Sequence, residues 1–463
     1  MRRAPAHRLQ AAKARGPKGV AMVMVLVAVL ILTLVLVEFS KTSRTHLNQG
    51  VNVRDTVRAN VIAETGLVLT RACLDPNIFG PMGALLQGKN LDMQKMCDLL
   101  LNVFLAGRLD LPVGGLSVEL DGIDNLGLGK GGLEEMSLVP EESFIGLAGL
   151  YCPPQQTGAP DFNCAPRLQT VTKLRSILCD PDIAHVFESD QEDGKRYTRW
   201  DIITNLVDWV DKDDNRLQFD TISGQFIQGA GEGEDSYYGA ADDRYRSKDA
   251  PFDSIEELRM IRGINDDLYN FLKDRVSVHA QAKVYVQTAT VDVFEALLRA
   301  NSPMFQMIEN NSCGEDTSGT GSTADQFTQA LRLYADLIVK ARSQLEFQRI
   351  MSGAFLNPPF RNAQEFLQTA QDPAAILLNS PMVQYSPVLQ QQYTALASDP
   401  TYQLLKSGQL INWESLGQGI TVQIAQRMFR LNIKARVGNI SRRIQAVLKQ
   451  DGQVVRTLYY RED

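Results

Sequence analysis

The sequence predicts an α+β chain laid out in order: a long N-terminal transmembrane helix, a large and mostly α-helical body, and a C-terminal antiparallel sheet. Three observations carry this. A basic leader gives way at Gly19 to an uninterrupted apolar run from Val20 to Val37. From Arg167 onward, apolar residues recur at helical spacing. From Phe429 the period changes to alternation, with Phe429, Leu431, Ile433, Ala435 and Val437 on one face, then Ile444, Ala446 and Leu448.

The apolar run is long enough to span most of a bilayer at about 1.5 Å of rise per residue. Only Thr33 interrupts it, and a helical Thr returns its hydroxyl to a carbonyl one turn back. The leader carries Arg2, Arg3, Arg8, Lys13, Arg15 and Lys18, so it is expected in the cytoplasm, with everything after Glu38 exported. A secretory signal has a small-residue cleavage site after its apolar region; none follows Val37. The processing point is instead expected before the run, in Lys18-Gly19-Val20-Ala21-Met22, which leaves the helix on the mature protein. A simple single-pass anchor is the competing reading. The continuation disfavours it: from Ser40 to Leu69 there is no Pro, and Val53, Val57, Val61, Leu67 and Val68 interleave with Arg54, Asp55, Arg58, Asn60 and Glu64 as an amphipathic helix requires.

The Gly19–Val20 junction, the retained helix and its amphipathic extension resemble the type IV pilins and their secretion-system relatives, the pseudopilins. The resemblance implies a pilin-like fold, cleavage after Gly19 by a prepilin peptidase, and N-methylation of Val20. Most members carry Glu at the fifth mature position, where this chain has Met24. One minor pseudopilin, the K subunit of type II secretion, characteristically lacks that Glu. A Glu buried in a filament needs a cation, and the amino terminus of the subunit above supplies one. A subunit with nothing above it is better served by an apolar side chain.

With 463 residues, the chain is long enough for more than one globular unit. Its net charge of −7, with no basic patch after the leader, argues against nucleic acid as a partner. Six cysteines all follow the membrane span, as suits an oxidising compartment. Cys152 and Cys164 flank a Pro-rich loop and are the candidates for a local bridge; the other pairings stay open. No Cys-x-x-Cys occurs and the four His are scattered, which weighs against zinc.

Helices are expected at Met93–Leu105, Val171–Leu178, Trp200–Val210, Ser254–Arg262, Asp266–Asp274 and Thr323–Arg342. Leu116–Leu120 and Val454–Tyr459 read as strands, and Asp451-Gly452 as a hairpin turn. Asn310–Ser322 reads as a loop. Gly129-Lys130 lies in a Gly-rich stretch, but a phosphate loop would need Gly at Asp124 and Ser or Thr at Gly131.

The sharpest chemistry lies in Asp208-Trp209-Val210-Asp211-Lys212-Asp213-Asp214-Asn215 and in Glu232-Gly233-Glu234-Asp235-Ser236-Tyr237-Tyr238. Calcium takes roughly six to eight oxygen ligands. Asp211, Asp213 and Asn215 reproduce the first, third and fifth ligand spacing of an EF-hand loop. Arg216 then stands where that loop needs Gly, and Ile222 where it needs Glu. Further oxygens are expected from Asp214, Glu232, Glu234 and Asp235. Charge runs are ordinarily solvated loops, but Trp209, Tyr237, Tyr238 and Tyr245 interleave these acids with aromatics.

These two runs, together with Ala250-Pro251-Phe252-Asp253-Ser254-Ile255-Glu256-Glu257-Leu258-Arg259 and Val286-Gln287-Thr288-Ala289-Thr290, resemble the central signature of the K pseudopilin; Gln287 stands where that family usually has Asn. The similarity is good over about 200–290, at the N-terminus and in the Phe429–Leu448 strands, and poor over about 73–190 and 300–410. The resemblance implies a leader at 1–19, a membrane and amphipathic helix at 20–72, an enlarged pilin body with an inserted helical domain at 73–410, and sheet strands at 411–463. It also implies bound calcium, a place at the pseudopilus tip, and assembly with I- and J-type minor pseudopilins and the major pseudopilin. A secretin or the exported substrate is a further candidate partner, and the sequence assigns no role to the enlarged regions. The chain would be anchored in the inner membrane with its bulk in the periplasm. The rival reading is a tip pilin of a type IV pilus or DNA-uptake machine, since Glu257–Asn265 resembles a helix-hairpin-helix. Its turn, Gly263-Ile264-Asn265, lacks the second Gly, and Asp266-Asp267 would repel phosphate. We read it as a structural pair packed through Leu258, Ile261, Ile264, Leu268 and Leu272. No His-Glu-x-x-His or Gly-x-Ser-x-Gly occurs, so no enzyme is expected.

Overall fold

The computed structural model of the chain describes residues 18–75, 97, 108–110, 117–119, 131–153, 162–191, 193–229, 233–239, 244–303, 305, 313, 323–354, 357–452 and 454–463. One unbroken helix, Lys18–Leu74, holds both the apolar run and its amphipathic continuation, a spine about 85 Å long at ~1.5 Å per residue. It is long and apolar enough to cross a membrane, and none of its most apolar window is buried. Thr33 returns its hydroxyl to Leu30 O at 2.8 Å.

Toward its C-terminal end the spine acquires a covered face. Ala59, Ile62, Ala63 and Leu67 are buried against Leu431, Ile433, Ala435, Ile444, Ala446 and Leu448. Those residues line the inner side of a four-stranded antiparallel sheet in the order Val454–Glu462, Ile440–Asp451, Met428–Val437, Gly132–Pro140. The two C-terminal hairpins turn through Gly438 (φ 59°) and Gly452 (φ 62°), left-handed positions that Gly occupies without strain. The α+β class holds, with one strand the sequence did not disclose: Gly132–Pro140, which lies far upstream and pairs with Met428–Val437. A separate hairpin joins Arg108–Asp110 to Ser117–Glu119, within the strand expected at Leu116–Leu120. The expected Met93–Leu105 helix and Asn310–Ser322 loop lie outside the described residues apart from Cys97 and Cys313.

The chain leaves the sheet at Pro140 and re-enters at Met428, so the helical body is inserted between two paired strands. A polar clasp closes this junction. Glu141 is fully buried and accepts from Arg430 Nε at 2.9 Å and Nη2 at 3.1 Å. The same guanidinium donates to Lys273 O and Val276 O, each at 2.9 Å. Glu142 accepts the backbone amides of Ala425 and Gln426.

In the body, the helices Ala165–Leu178, Arg199–Asp208, Asp266–Leu272, Val291–Ala300 and Thr323–Met351 pack into one apolar core. Local chemistry sets their starts: Thr198 and Asp201 form a capping box, and Asn265 accepts from Leu268 N. The helix expected over Ser254–Arg262 is instead a 3-10 run, Ile255–Met260. Ile261 turns extended, and Gly263 follows at φ 83°. A Cβ on Gly263 would lie 2.7 Å from Ile202 and 2.9 Å from Tyr197, so close packing and handedness both require Gly. Leu258, Ile261, Ile264, Leu268 and Leu272 are buried, as a structural pair demands. Gln287 is buried and pairs with the backbone of Phe360, accepting from its N at 3.0 Å and donating to its O at 2.6 Å. Disulfides join Cys73–Cys97, Cys152–Cys164 and Cys179–Cys313.

Arg430→Met should strand the buried Glu141 carboxylate and cost about 3–5 kcal/mol. Urea unfolding of the purified chain checks this; an unchanged midpoint would show that the clasp contributes nothing.

Candidate metal centre

The helix Arg199–Asp208 has no basic residue in its last turn, yet it delivers two carboxylates there and just beyond, Asp208 and Asp211. A helix C-terminus is the negative pole of its dipole, so these acids sit where the backbone opposes them. Spaced three apart, they project to one side. Glu234, in the turn before the short helix Asp235–Tyr238, comes to the same place. Oxygens of Asp208, Asp211 and Glu234 lie within 4.8 Å of one another, and all three residues are buried. Neither oxygen of Asp211 or of Glu234 accepts a hydrogen bond among the described residues; Asp208 Oδ1 accepts from Leu217 N at 3.1 Å.

Burial, reinforced by the charge of Asp211, pushes Asp208 up to about 8, against the Leu217 amide. Burial pushes Asp211 up to about 7, opposed first by Arg167. Burial and then the charges of Asp211 and Asp208 drive Glu234 up to about 11. Three withdrawn carboxylates, two of them accepting no hydrogen bond among the described residues, require protons or a cation. An all-oxygen donor set with no His or Cys fits a hard divalent ion such as calcium, so the residues present fit the ion that the sequence implies. Asp208, Asp211 and Glu234 would hold it.

Aromatic side chains wall the site. Trp209 is buried and meets Tyr238 and Tyr245 edge-on, with ring centroids 5.5 and 6.2 Å away. Its Nε1 donates to Glu257 at 3.4 Å, and its carbonyl accepts from Lys248 N and Asp249 N. Asp249 adopts φ 52°, an uncommon conformation for a non-Gly residue.

The other residues expected as ligands are distributed differently. Asp213 Oδ1 accepts from Asn215 N at 3.0 Å and Nδ2 at 2.8 Å, and Asn215 Oδ1 accepts from Gln228. The pair thus closes a local turn into the hairpin Leu217–Asp220/Gln225–Gln228; the EF-hand spacing does not converge because the chain straightens into that strand. Asp214 is exposed but adjoins the site's second segment, since a Cβ on Gly233 would lie 3.0 Å from Asp214 O. Asp235 accepts from Ser247 N and Oγ and pins a loop. Glu232 and the Tyr237 side chain lie outside the described residues. Asp208 is the member of this cluster outside the expected ligand set; its signal was the three-residue interval to Asp211 on a helix, which the search for a loop motif passed over. Gly19 and Val20 lie in the first turn of the spine, and Cys152 is bridged to Cys164.

Residues 193–281, which contain this site, match the family model of type II secretion system protein K. No curated protein matches the sequence. Among solved structures, the GspK-GspI-GspJ complex of the enterotoxigenic Escherichia coli type 2 secretion system is similar at 15% identity, covering 72% of this chain and 80% of that chain, with a TM-score of 0.37.

The folded pKa of each carboxylate lies above its unfolded value, so the metal-free native state holds the extra protons and loses stability as pH rises from about 4 through those folded values. In chelator, the chain should melt higher at about pH 5.5 than at about pH 8, and Asp211→Asn should flatten that dependence. A metal-free melting temperature that rises with pH over this range would contradict the assigned electrostatics.

Proposed function

We infer that the chain is a minor pseudopilin of the K type, working in a type II secretion system without catalysis of its own. The observation that carries this is the protein K match over residues 193–281, coinciding with the buried acidic site. On this reading the prepilin peptidase cuts between Gly19 and Val20, Val20 is methylated, and the spine anchors the subunit in the inner membrane with its body in the periplasm. I- and J-type partners hold it through the spine and the sheet, and one copy caps the pseudopilus that drives protein export across the outer membrane. Met24 supports the tip position: below another subunit it would face an ammonium that it cannot compensate in a low-dielectric bundle. The bulk of the inserted body supports it too, because so large a unit would collide with itself if repeated along a filament.

Calcium serves this role as a lock. Held by Asp208, Asp211 and Glu234, with Asp214 at the rim, it replaces the protons that the empty carboxylates would otherwise demand and ties the helix Arg199–Asp208 to the turn before Asp235. A ligand that binds only the folded state adds RT ln(1 + [L]/Kd), about 2.7 kcal/mol at one hundred times Kd. Calcium should therefore raise the melting temperature of the purified chain, and Asp208→Asn or Glu234→Gln should abolish the rise. A melting temperature indifferent to both calcium and chelator would remove the metal from the account.

The tip position is tested separately, by immunogold labelling of pseudopili. Label at one end per filament is expected; label along the whole length would sink the assignment.

A further inference from the structure

Behind the acidic site lies a buried cation that arrives from outside the segment matching protein K. Arg167, in the first turn of the helix Ala165–Leu178, is 1% exposed. Its Nη1 stands 3.6 Å from Asp211 Oδ2, beyond hydrogen-bond length but within ion-pair range. Two carbonyls hold the guanidinium there: Nε donates to Leu150 O at 2.7 Å, and Nη1 donates to Phe162 O at 3.2 Å. Each carbonyl belongs to the residue two positions before a cysteine of the bridge Cys152–Cys164. The disulfide thus ties the segment bearing Leu150, which precedes Cys152, to the segment bearing Phe162, which precedes Cys164. The Phe162 segment is also tied to the site's hairpin, since Asn163 accepts from Phe226 N at 2.7 Å and donates to Phe226 O at 3.0 Å.

We propose that Arg167 is a resident counter-cation of the acidic site, positioned by the Cys152–Cys164 bridge, and that it sets the strength of calcium binding. This rests on the calcium reading above. The physics runs in two directions. Without metal, a guanidinium beside Asp211 offsets part of the repulsion among three buried carboxylates and supports the fold. With metal, the same fixed positive charge opposes the incoming dication, so the site binds more weakly than its three carboxylates alone would allow. Arg167 cannot relieve that opposition by losing a proton, because a guanidinium stays charged. It can do so only by moving away, and the carbonyls of Leu150 and Phe162 resist that. The bridge is therefore a positioning device for the cation: with it closed, the two carbonyl-bearing segments are held together and the charge stays against Asp211; with it absent, those segments are free to part and the charge recedes. The outcome is a site that can empty without unfolding the protein.

Calcium affinity of the full chain in lipid nanodiscs, measured by isothermal titration, tests this alongside the melting temperature in chelator. Arg167→Gln should tighten calcium binding about tenfold, within the usual range of coupling between sites, while lowering the metal-free melting temperature. Arg167→Lys keeps the charge and should stay within about threefold of wild type. The bridge variant Cys152→Ser/Cys164→Ser should tighten binding in the wild-type background but change nothing further in the Arg167→Gln background, since its effect passes through that residue. If Arg167→Gln does not fold, the lysine and bridge variants decide the matter: an unchanged or weaker affinity on opening the bridge overturns the proposal. So does an Arg167→Gln protein that binds calcium no more tightly than wild type. A wild-type chain that binds no calcium overturns the metal reading itself, a result distinct from either.

Discussion

Three carboxylates withdrawn from water within a few ångströms of one another are the constraint around which the helical body is organised. Carboxylates so placed do not stay ionised without compensation, and their surroundings are arranged to supply part of it. The Leu217 amide reaches Asp208, Arg167 reaches Asp211, and the neighbouring rings of Trp209 and Tyr238 are themselves buried. The hairpin after Asn215 and the turn before Asp235 are consequences as much as causes, because both segments must approach the end of one helix. A divalent cation would complete what these contacts begin.

The site is not isolated from the sheet. The 3-10 run Ile255–Met260 lies between them, with neighbouring glutamates facing opposite ways. Glu257 accepts from Trp209 Nε1 and from Lys248, on the side of the acidic cluster. Glu256 accepts from the Tyr459 hydroxyl and pairs with Arg461, on the terminal strand. Together with the clasp of Glu141 and Arg430, this gives the inserted body two polar attachments to the sheet that rides on the spine. Of the two, only the Glu141–Arg430 pair has a buried carboxylate; the Glu256–Arg461 pair is partly exposed.

The ends of the chain were legible from sequence because their periods are strong. Val20–Val37 could be nothing but an apolar helix, and the alternation after Phe429 marks two hairpin strands that the structure retains. Gly132–Pro140 was not legible: its Glu134-Glu135 pair breaks the alternation, and its partner is remote, so nothing local signals pairing. Four short helices in the enlarged region, Pro373–Leu378, Pro381–Gln384, Pro387–Ala397 and Pro400–Lys406, each begin on Pro. Asp372, Ser380, Ser386 and Asp399 precede those prolines, a start signal that can be read but was overshadowed by the absence of long periodicity. At the acidic site the two runs singled out from sequence supply all three clustered carboxylates, but Asp208 was not among the expected ligands. A loop template favours residues two apart, and this site uses residues three apart on a helix end plus one acid from another segment. Arg167 could not have been found at all, since only tertiary packing brings it to Asp211.

The pairing of Gly132–Pro140 with Met428–Val437 also dictates an order of events. Glu141 and Arg430 meet across 289 positions of sequence, whereas the two C-terminal hairpins close over a few residues. Closing long loops is entropically costly and slow relative to local hairpins. The inserted body must therefore compact first, bringing its two ends together, before the upstream strand can find its neighbour. The inner face of the spine at Ala59, Ile62, Ala63 and Leu67 can meanwhile rest on the C-terminal hairpin alone. In a chain emerging from its N-terminus the spine is thus complete long before its base can close, and the last strands to arrive are the ones that seat it.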